Sequence, residues 1–242
     1  MLVYGKNVAI EYLRKNKKIK KIWIQDSFND QTILSLIQKR QIGYKKCPKI
    51  ELDRLANGVH QGIILEVEDY QYASLSDFLK NTNDGFLIIL DHIEDPHNLG
   101  AIIRTCEAAG VDGIILPKDR SATDNATVLN TSVGTTENVK IAQVTNLVQA
   151  IQELKESGYW IVGTDMTNST DYRKIDYTGK TAIIIGNEGS GMSRLVRESC
   201  DFIARIPMYG KVNSLNASVS AGIMIYEVLR QKINNGISNK RL

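Results

Sequence analysis

The sequence is poor in the residues that build disulfide frameworks and metal centres. It has three cysteines and three histidines among 242 residues, and neither type recurs at a spacing typical of metal ligands. No disulfide scaffold and no metal site is therefore expected, and free cysteines are typical of a reducing cytosol. His92 and His97 flank an acidic loop, but isolated histidines of this kind are more often structural than ligands.

Long apolar runs are also absent. No segment approaches the length needed to cross a bilayer, and nothing near Met1 has the pattern of a secretory signal. Apolar residues make up 43% of the chain and charged residues 24%, which is ordinary for a globular protein. The composition therefore excludes membrane-spanning and disordered classes and predicts a soluble, cytoplasmic protein without a membrane partner.

Positive charge is concentrated near the N-terminus, although the formal net charge is only +3. Residues 1–80 contain 14 Lys and Arg against 9 Asp and Glu, whereas the remainder contains 16 against 18. The densest run comprises Lys15, Lys17, Lys18, Lys20 and Lys21. Such a run releases counterions from a polyanion and favours RNA or DNA binding, but a solvated Lys-rich surface gives the same pattern. Charge alone leaves both interpretations open.

The first segment of the chain, residues 1–72, predicts a small α/β domain. Apolar periodicity indicates three helices and three strands. The helices are expected at 8–13, 32–40 and 50–55, and the strands at 21–25, 42–46 and 62–68. Residues 73–85 mix a short helix with a polar stretch and are interpreted as a linker.

The second segment, residues 86–242, alternates apolar strands with helices. The expected strands are 86–90, 113–116, 139–142, 160–164, 182–185 and 202–206. The expected helices are 99–109, 125–131, 146–156, 192–197 and 217–233, with a frayed tail after them. Near-continuous apolar strands followed by helices predict a mostly parallel sheet covered on both faces. Ligands of such sheets bind beyond the carboxyl ends of the strands.

A glycine-rich segment follows the strand expected at 182–185. Gly186, Gly189 and Gly191 allow positive φ and a close backbone approach to a nucleotide-like ligand, although a plain strand–helix turn has the same composition. The spacing is neither the dinucleotide-binding fingerprint nor a P-loop.

Two further polar segments, residues 91–110 and 206–220, also follow expected strands. In the first, Arg104 lies on an otherwise apolar helix and needs a partner, either in an ion pair with Asp91 or Glu94 or in a ligand. In the second, Ser214 or Asn216 suits a helix N-cap, but the density of polar residues there exceeds what capping needs.

In order, content and separation, these three segments resemble the SpoU family of SPOUT (trefoil-knot) RNA ribose 2′-O-methyltransferases. The resemblance covers residues 86 to about 232, and residues 1–72 resemble the RNA substrate-binding domain of the RlmB-type ribosomal RNA branch. It implies a knotted, mostly parallel sheet and methyl transfer from S-adenosylmethionine to a ribose 2′-hydroxyl, of a guanosine in 23S rRNA. The alternatives are a tRNA ribose methyltransferase and a non-catalytic RNA-binding or ribosome-assembly protein of the same fold.

The roles of individual residues follow from the same resemblance. The catalytic set that it implies is Arg104, Asn98, Glu188, Ser214 and Asn216. The set expected to contact S-adenosylmethionine, largely through backbone atoms, is Thr164, Gly186, Ile206 and Leu215. The family works as a homodimer in which residues of one subunit complete the site of the other. A nucleotide-binding oxidoreductase lacks support, because neither G-x-G-x-x-G nor a matching ribose-binding acid is found.

Overall fold

Two units are distinguished in the computed structural model, and the chain passes from the first to the second after Gln71. The structure describes residues 1–56, 58–80, 84–119 and 139–236. The helix expected at 125–131 lies outside the described residues, as do the end of the expected tail and residues 81–83 of the expected linker.

The first unit is built on a four-stranded sheet. Its strands are β1 (Leu2–Tyr4), β2 (Ile19–Gln25), β3 (Lys45–Cys47) and β4 (Ile63–Val67), and its helices are α1 (Lys6–Arg14), α2 (Gln31–Lys39) and α3 (Lys49–Leu55). The strand order is β1-β4-β2-β3, in which β4 runs antiparallel to both neighbours and β3 is parallel to β2. The sequence analysis missed β1, because three residues are too few to show an alternating pattern.

Both faces of this small sheet are covered. On one face Ile63 and Leu65 of β4 belong to the same buried cluster as residues of α1 and α2. On the other face Ile64 packs with Trp23 and with Leu52 of α3. Because successive side chains of β4 enter two different cores, the strand reads as a continuous apolar run.

The second unit contains a seven-stranded sheet in which every described pairing is parallel. Its strands are β5 (Phe86–Asp91), β6 (Gly113–Pro117), β7 (Lys140–Val144), β8 (Trp160–Thr164), β9 (Thr170–Asp171), β10 (Thr181–Gly186) and β11 (Phe202–Arg205). Its helices are α4 (Ser76–Leu79), α5 (Pro96–Ala108), α6 (Leu147–Glu156), α7 (Arg194–Glu198) and α8 (Ala217–Asn234), with a single 3₁₀ turn at Tyr172–Lys174. The strand order is β7-β6-β5-β10-β8-β11-β9. No described helix is long and apolar enough to span a bilayer.

The predicted parallel sheet is confirmed, and its central strands show why it was predictable. All six residues of β5 are buried, as are the first five of β10. Helices cover the sheet, so these strands carry apolar side chains on both faces. The short β9 was missed, and the strand expected at 202–206 ends at Arg205. The threading of the C-terminal segment through a knot stays a prediction.

Polar side chains define where the helices of this unit begin. Asp95 accepts a hydrogen bond from the His97 amide at 2.8 Å, and Pro96 occupies the first turn, so α5 begins three residues earlier than expected. Asn146 caps α6 and Asn216 caps α8 through their side-chain oxygens. The N-cap interpretation of Asn216 is therefore confirmed.

A buried lysine ties the end of α8 to the sheet. Lys232 is 5% exposed, and its ammonium donates hydrogen bonds to the carbonyl oxygens of Gly179 at 2.8 Å and Asp84 at 3.1 Å. Burial lowers the pKa of Lys232, and the nearby carboxylates of Asp84 and Asp112 oppose that shift. The contact anchors α8 beside the amino ends of β5 and β10.

We expect Lys232→Met to lower the free energy of unfolding by about 1–3 kcal/mol, because two carbonyl groups lose their donor while the side-chain volume is retained. Urea denaturation followed by circular dichroism measures the change. Lys174→Met removes an exposed lysine and should stay within about 0.5 kcal/mol of the parent. Equal stability of the two variants would contradict the anchoring role.

Candidate active site

A cavity of about 340 Å³ opens at the carboxyl ends of β8, β10 and β11. Its apolar wall is formed by Ile185, Ala204, Ile206, Met208 and Leu215. The loops after β10 and β11 supply most of its polar rim. This is the edge at which parallel α/β sheets bind ligands, and the volume suits a ligand of nucleotide size.

The four residues expected to contact a cofactor all line this one cavity. Thr164 lies at the end of β8, Gly186 at the end of β10, and Ile206 and Leu215 in the loop between β11 and α8. The Thr164 hydroxyl donates to the Ile184 carbonyl at 2.9 Å, so its side chain also holds β8 to β10. Residues from three separate segments of sequence therefore meet at a single place.

The glycine-rich loop after β10 folds back on itself. The amide of Asn187 donates to the Gly191 carbonyl at 3.0 Å, and the amide of Gly191 donates to the Asn187 carbonyl at 2.9 Å. A Cβ atom on Gly186 would lie 2.5 Å from the Gly191 carbonyl carbon and closer still to the Met192 nitrogen. Close approach thus requires glycine at position 186, while left-handed backbone requires it at Gly191, where φ is +69°.

Asp91 holds this loop to the end of β5. Its side chain is 1% exposed; one oxygen accepts from the Ser193 amide at 2.6 Å and the other lies 2.5 Å from His92 Nδ1. The side-chain amide of Asn187 donates through Nδ2 to the His92 backbone carbonyl at 2.8 Å. Asp91 is therefore not the partner of Arg104, and both of its oxygens serve to position the loop.

A chain of side-chain hydrogen bonds joins the three polar segments. Asn98 Nδ2 donates to Glu188 Oε1 at 2.6 Å, and Asn216 Nδ2 donates to Asn98 Oδ1 at 3.0 Å. Asn98 is 6% exposed, so its amide orientation is set by these two partners. Ser214 lines the cavity beside this chain, and so does Glu188. The structure thus brings together four of the five residues in the expected catalytic set.

Arg104, the fifth residue of the expected catalytic set, does not lie with the other four. It lies six positions after Asn98 on α5, which places it about 9 Å further along the axis and on a different face. Its side chain is exposed and does not line the cavity. Within the described ranges, Arg104 makes no hydrogen bond or ion pair, so of the two alternatives the ion pair with Asp91 or Glu94 is not formed.

The cysteines do not supply an activated nucleophile. All three are free. Burial raises the pKa of Cys200 to about 12, and it also raises the pKa values of Cys47 and Cys106 above the ordinary range for thiols.

Sequence reasoning missed several residues of the cavity. Asp165, Met166 and Arg205 line it, but none of them belongs to the three polar segments. The signal for Asp165 was its place directly after a predicted strand. That position becomes informative only when β8 is known to lie between β10 and β11.

Profiles of two protein families match the chain. The SpoU rRNA Methylase family matches residues 85–226, and the family described as RNA 2′-O ribose methyltransferase substrate binding matches residues 2–73. A Bacillus subtilis protein assigned by name to the TrmH-family tRNA/rRNA methyltransferases is 43% identical over 237 residues, which cover 95% of each chain.

Two solved structures share the fold over nearly the whole chain. An AdoMet-bound rRNA methyltransferase from Sinorhizobium meliloti superposes with a TM-score of 0.73 at 28% identity, covering 95% of this chain and 86% of that one. The SpoU methyltransferase AviRb from Streptomyces viridochromogenes, in complex with AdoMet, gives a TM-score of 0.76 at 25% identity and covers 97% and 91%.

We expect Gly186→Ala to lower the melting temperature by several degrees, because its methyl group overlaps backbone atoms of Gly191 and Met192 and such overpacking costs about 1–3 kcal/mol. Gly189→Ala is the matched control in the same loop, since its methyl group would meet only Asn187 Oδ1 at 3.5 Å. Differential scanning calorimetry compares the two. If both variants melt with the parent protein, the loop is not closed as described.

Proposed function

The chain belongs to the SpoU rRNA Methylase family, and we propose that it transfers a methyl group from S-adenosylmethionine to a ribose 2′-hydroxyl of RNA. The observation that carries the proposal is the cavity at the sheet edge with the Asn98–Glu188–Asn216 hydrogen bonds at its rim. A guanosine of 23S rRNA is the proposed substrate. The match of residues 2–73 to a substrate-binding family and the ribosomal RNA activity named for the Sinorhizobium protein support it.

The cavity fits S-adenosylmethionine in shape and charge. Its apolar wall suits an adenine ring, and Gly186 lines the cavity in a loop whose close backbone packing requires glycine there. Glu188 supplies negative charge for a cationic ligand. When bound there, the cofactor supplies an electrophilic methyl group. Thr164, Gly186, Ile206 and Leu215 would hold it, largely through backbone groups.

The acceptor hydroxyl needs positioning and loss of its proton, because an unperturbed ribose hydroxyl is a poor nucleophile. Asn98, Glu188, Ser214 and Asn216 would fix the nucleotide at the rim of the cavity. Arg104 would orient the hydroxyl and the adjacent phosphate. A guanidinium is a poor base in water, so its share in proton removal requires a perturbed environment in the assembled site.

A homodimer is the proposed working form, and the position of Arg104 supports it. Arg104 is exposed and does not line the cavity of its own chain, so a second copy would have to bring an arginine to the reacting atoms. Helix α5 packs against α8. Helix α8 also carries an exposed apolar stripe at seven-residue spacing, formed by Val219, Tyr226 and Ile233. Between 48% and 52% of each of these side chains is accessible, as expected for a surface that a partner covers.

The N-terminal lysines give the RNA proposal more limited support. Lys15 pairs with Glu11 and Lys18 with Glu68, so part of the run is neutralised within the first unit. Lys20 and Lys21 are exposed. Transfer RNA is the second candidate substrate, because the Bacillus relative is named for both tRNA and rRNA.

Labelled methyl transfer to large-subunit RNA fragments and to tRNA, followed by digestion to nucleosides, tests the proposal. We expect 2′-O-methylguanosine from the large-subunit RNA. Arg104→Ala should reduce transfer at least a hundredfold without changing S-adenosylhomocysteine affinity, because Arg104 acts on the acceptor. Arg194→Ala, which removes another exposed arginine, should retain activity. Label on a base would contradict ribose transfer, and turnover by Arg104→Ala would contradict its role.

A mixed dimer tests whether Arg104 acts across subunits. One subunit carries Arg104→Ala and the other Gly186→Val, which fills the cofactor loop, and two affinity tags isolate the heterodimer. Composite sites predict about half of the parent activity, since one cavity receives an intact Arg104 from its partner. An inactive heterodimer would show that Arg104 serves its own chain.

A further inference from the structure

Asp165 is a second carboxylate in the cavity, beside Glu188. It directly follows Thr164 at the end of β8, and its amide donates to the Ala204 carbonyl of β11 at 3.0 Å. The residue lines the cavity, and its side chain is 26% exposed. Its backbone is therefore fixed between two strands while its carboxylate remains accessible to a ligand.

Two contacts orient the Asp165 carboxylate. Oδ1 accepts from the Thr167 amide at 2.8 Å, and Oδ2 lies 3.4 Å from Arg197 Nε. Arg197 also donates to the Thr167 carbonyl at 2.6 Å, so the arginine and the turn support one another. Each carboxylate oxygen has two lone pairs and contacts one group among the described residues, which leaves each oxygen able to accept one more hydrogen bond.

The two acids of the cavity differ in charge balance. The charge of Asp165 is countered by Arg197. Glu188 accepts from the neutral amide of Asn98, and in the described part of the chain no cation lies within ion-pair distance of it. Glu188 therefore suits the cationic part of a ligand, whereas Asp165 suits neutral hydroxyl donors, which need an oriented acceptor more than a counter-charge.

We propose that Asp165 recognises the cofactor by accepting hydrogen bonds from the 2′- and 3′-hydroxyls of its ribose, an inference that rests on the proposed function. A vicinal diol presents two donors side by side, and the two oxygens of one carboxylate accept them together. An acid at the end of a parallel strand performs this task in dinucleotide-binding sheets. Here the acid is placed by the strand order β10-β8-β11 and has no accompanying G-x-G-x-x-G motif.

Calorimetric titration with S-adenosylhomocysteine and with its 2′,3′-dideoxy analogue tests the proposal. The parent protein should bind the dideoxy analogue about tenfold to a hundredfold more weakly, the range expected for lost hydrogen bonds to a charged group. Asp165→Asn should weaken S-adenosylhomocysteine binding by a similar factor and discriminate less than threefold between the two ligands. Asp176→Asn is the matched control, because Asp176 also accepts an amide two residues onward, that of Thr178 at 2.9 Å, but lies outside the cavity.

A third ligand separates the ribose from the amino-acid part of the cofactor. Methylthioadenosine keeps the diol and lacks the ammonium group, so Asp165→Asn should weaken its binding by the same factor. An effect confined to S-adenosylhomocysteine would assign Asp165 to the ammonium and overturn the proposal. The proposal would also be overturned if Asp165→Asn lowered the affinity for S-adenosylhomocysteine and for the dideoxy analogue by the same factor. The residue would then act only by shaping the loop.

If Asp165→Asn does not fold, the comparison of the two ligands on the parent protein still tests the proposal. Equal affinity of the parent for S-adenosylhomocysteine and the dideoxy analogue would show that no group of the protein binds the ribose hydroxyls. Failure of the parent to bind S-adenosylhomocysteine at all would instead contradict the proposed function. The two failures are therefore distinct.

Discussion

The hydrogen bonds of the Asn98 amide are the contact on which the arrangement of the site depends. They join residues 90 and 118 positions apart in sequence, and they do so at a side chain that water hardly reaches. A buried amide without its partners would cost about 1–3 kcal/mol, so the loops after β5, β10 and β11 are held to one mutual arrangement. The parallel sheet makes this possible because its strands all end at the same edge.

The fold was largely predictable because its central strands have a clear sequence pattern. Buried on both faces, β5 and β10 read as uninterrupted apolar segments, and capping residues such as Asp95 and Asn216 mark the helices between them. Short elements at the margins, β1 and β9, were missed because two or three residues carry no periodicity. The four residues that the resemblance assigns to the cofactor line one cavity, and their role stays a prediction.

The parts of the site that could not be predicted depend on spatial neighbours. Asp165 gains significance because β8 lies between strands that come later in the chain, and no local pattern encodes that order. The burial of Asp91 against Ser193 likewise follows from pairing of β5 with β10. Arg104 shows the converse, since its helix was predicted but its place outside the cavity of its own chain was not.

The large sequence separation between Asn98 and its partners also has a consequence for the order of events during synthesis. The described strands and helices of the first unit all lie within residues 1–71 and can form while the remainder is still being translated, as N-terminal domains generally do. The candidate active site, by contrast, requires β10 beside β5 and the capped start of α8, and both β10 and α8 emerge late in synthesis. Non-local pairing of this kind is slow to form. A nascent chain would thus form its first unit before the loops around the cavity are assembled.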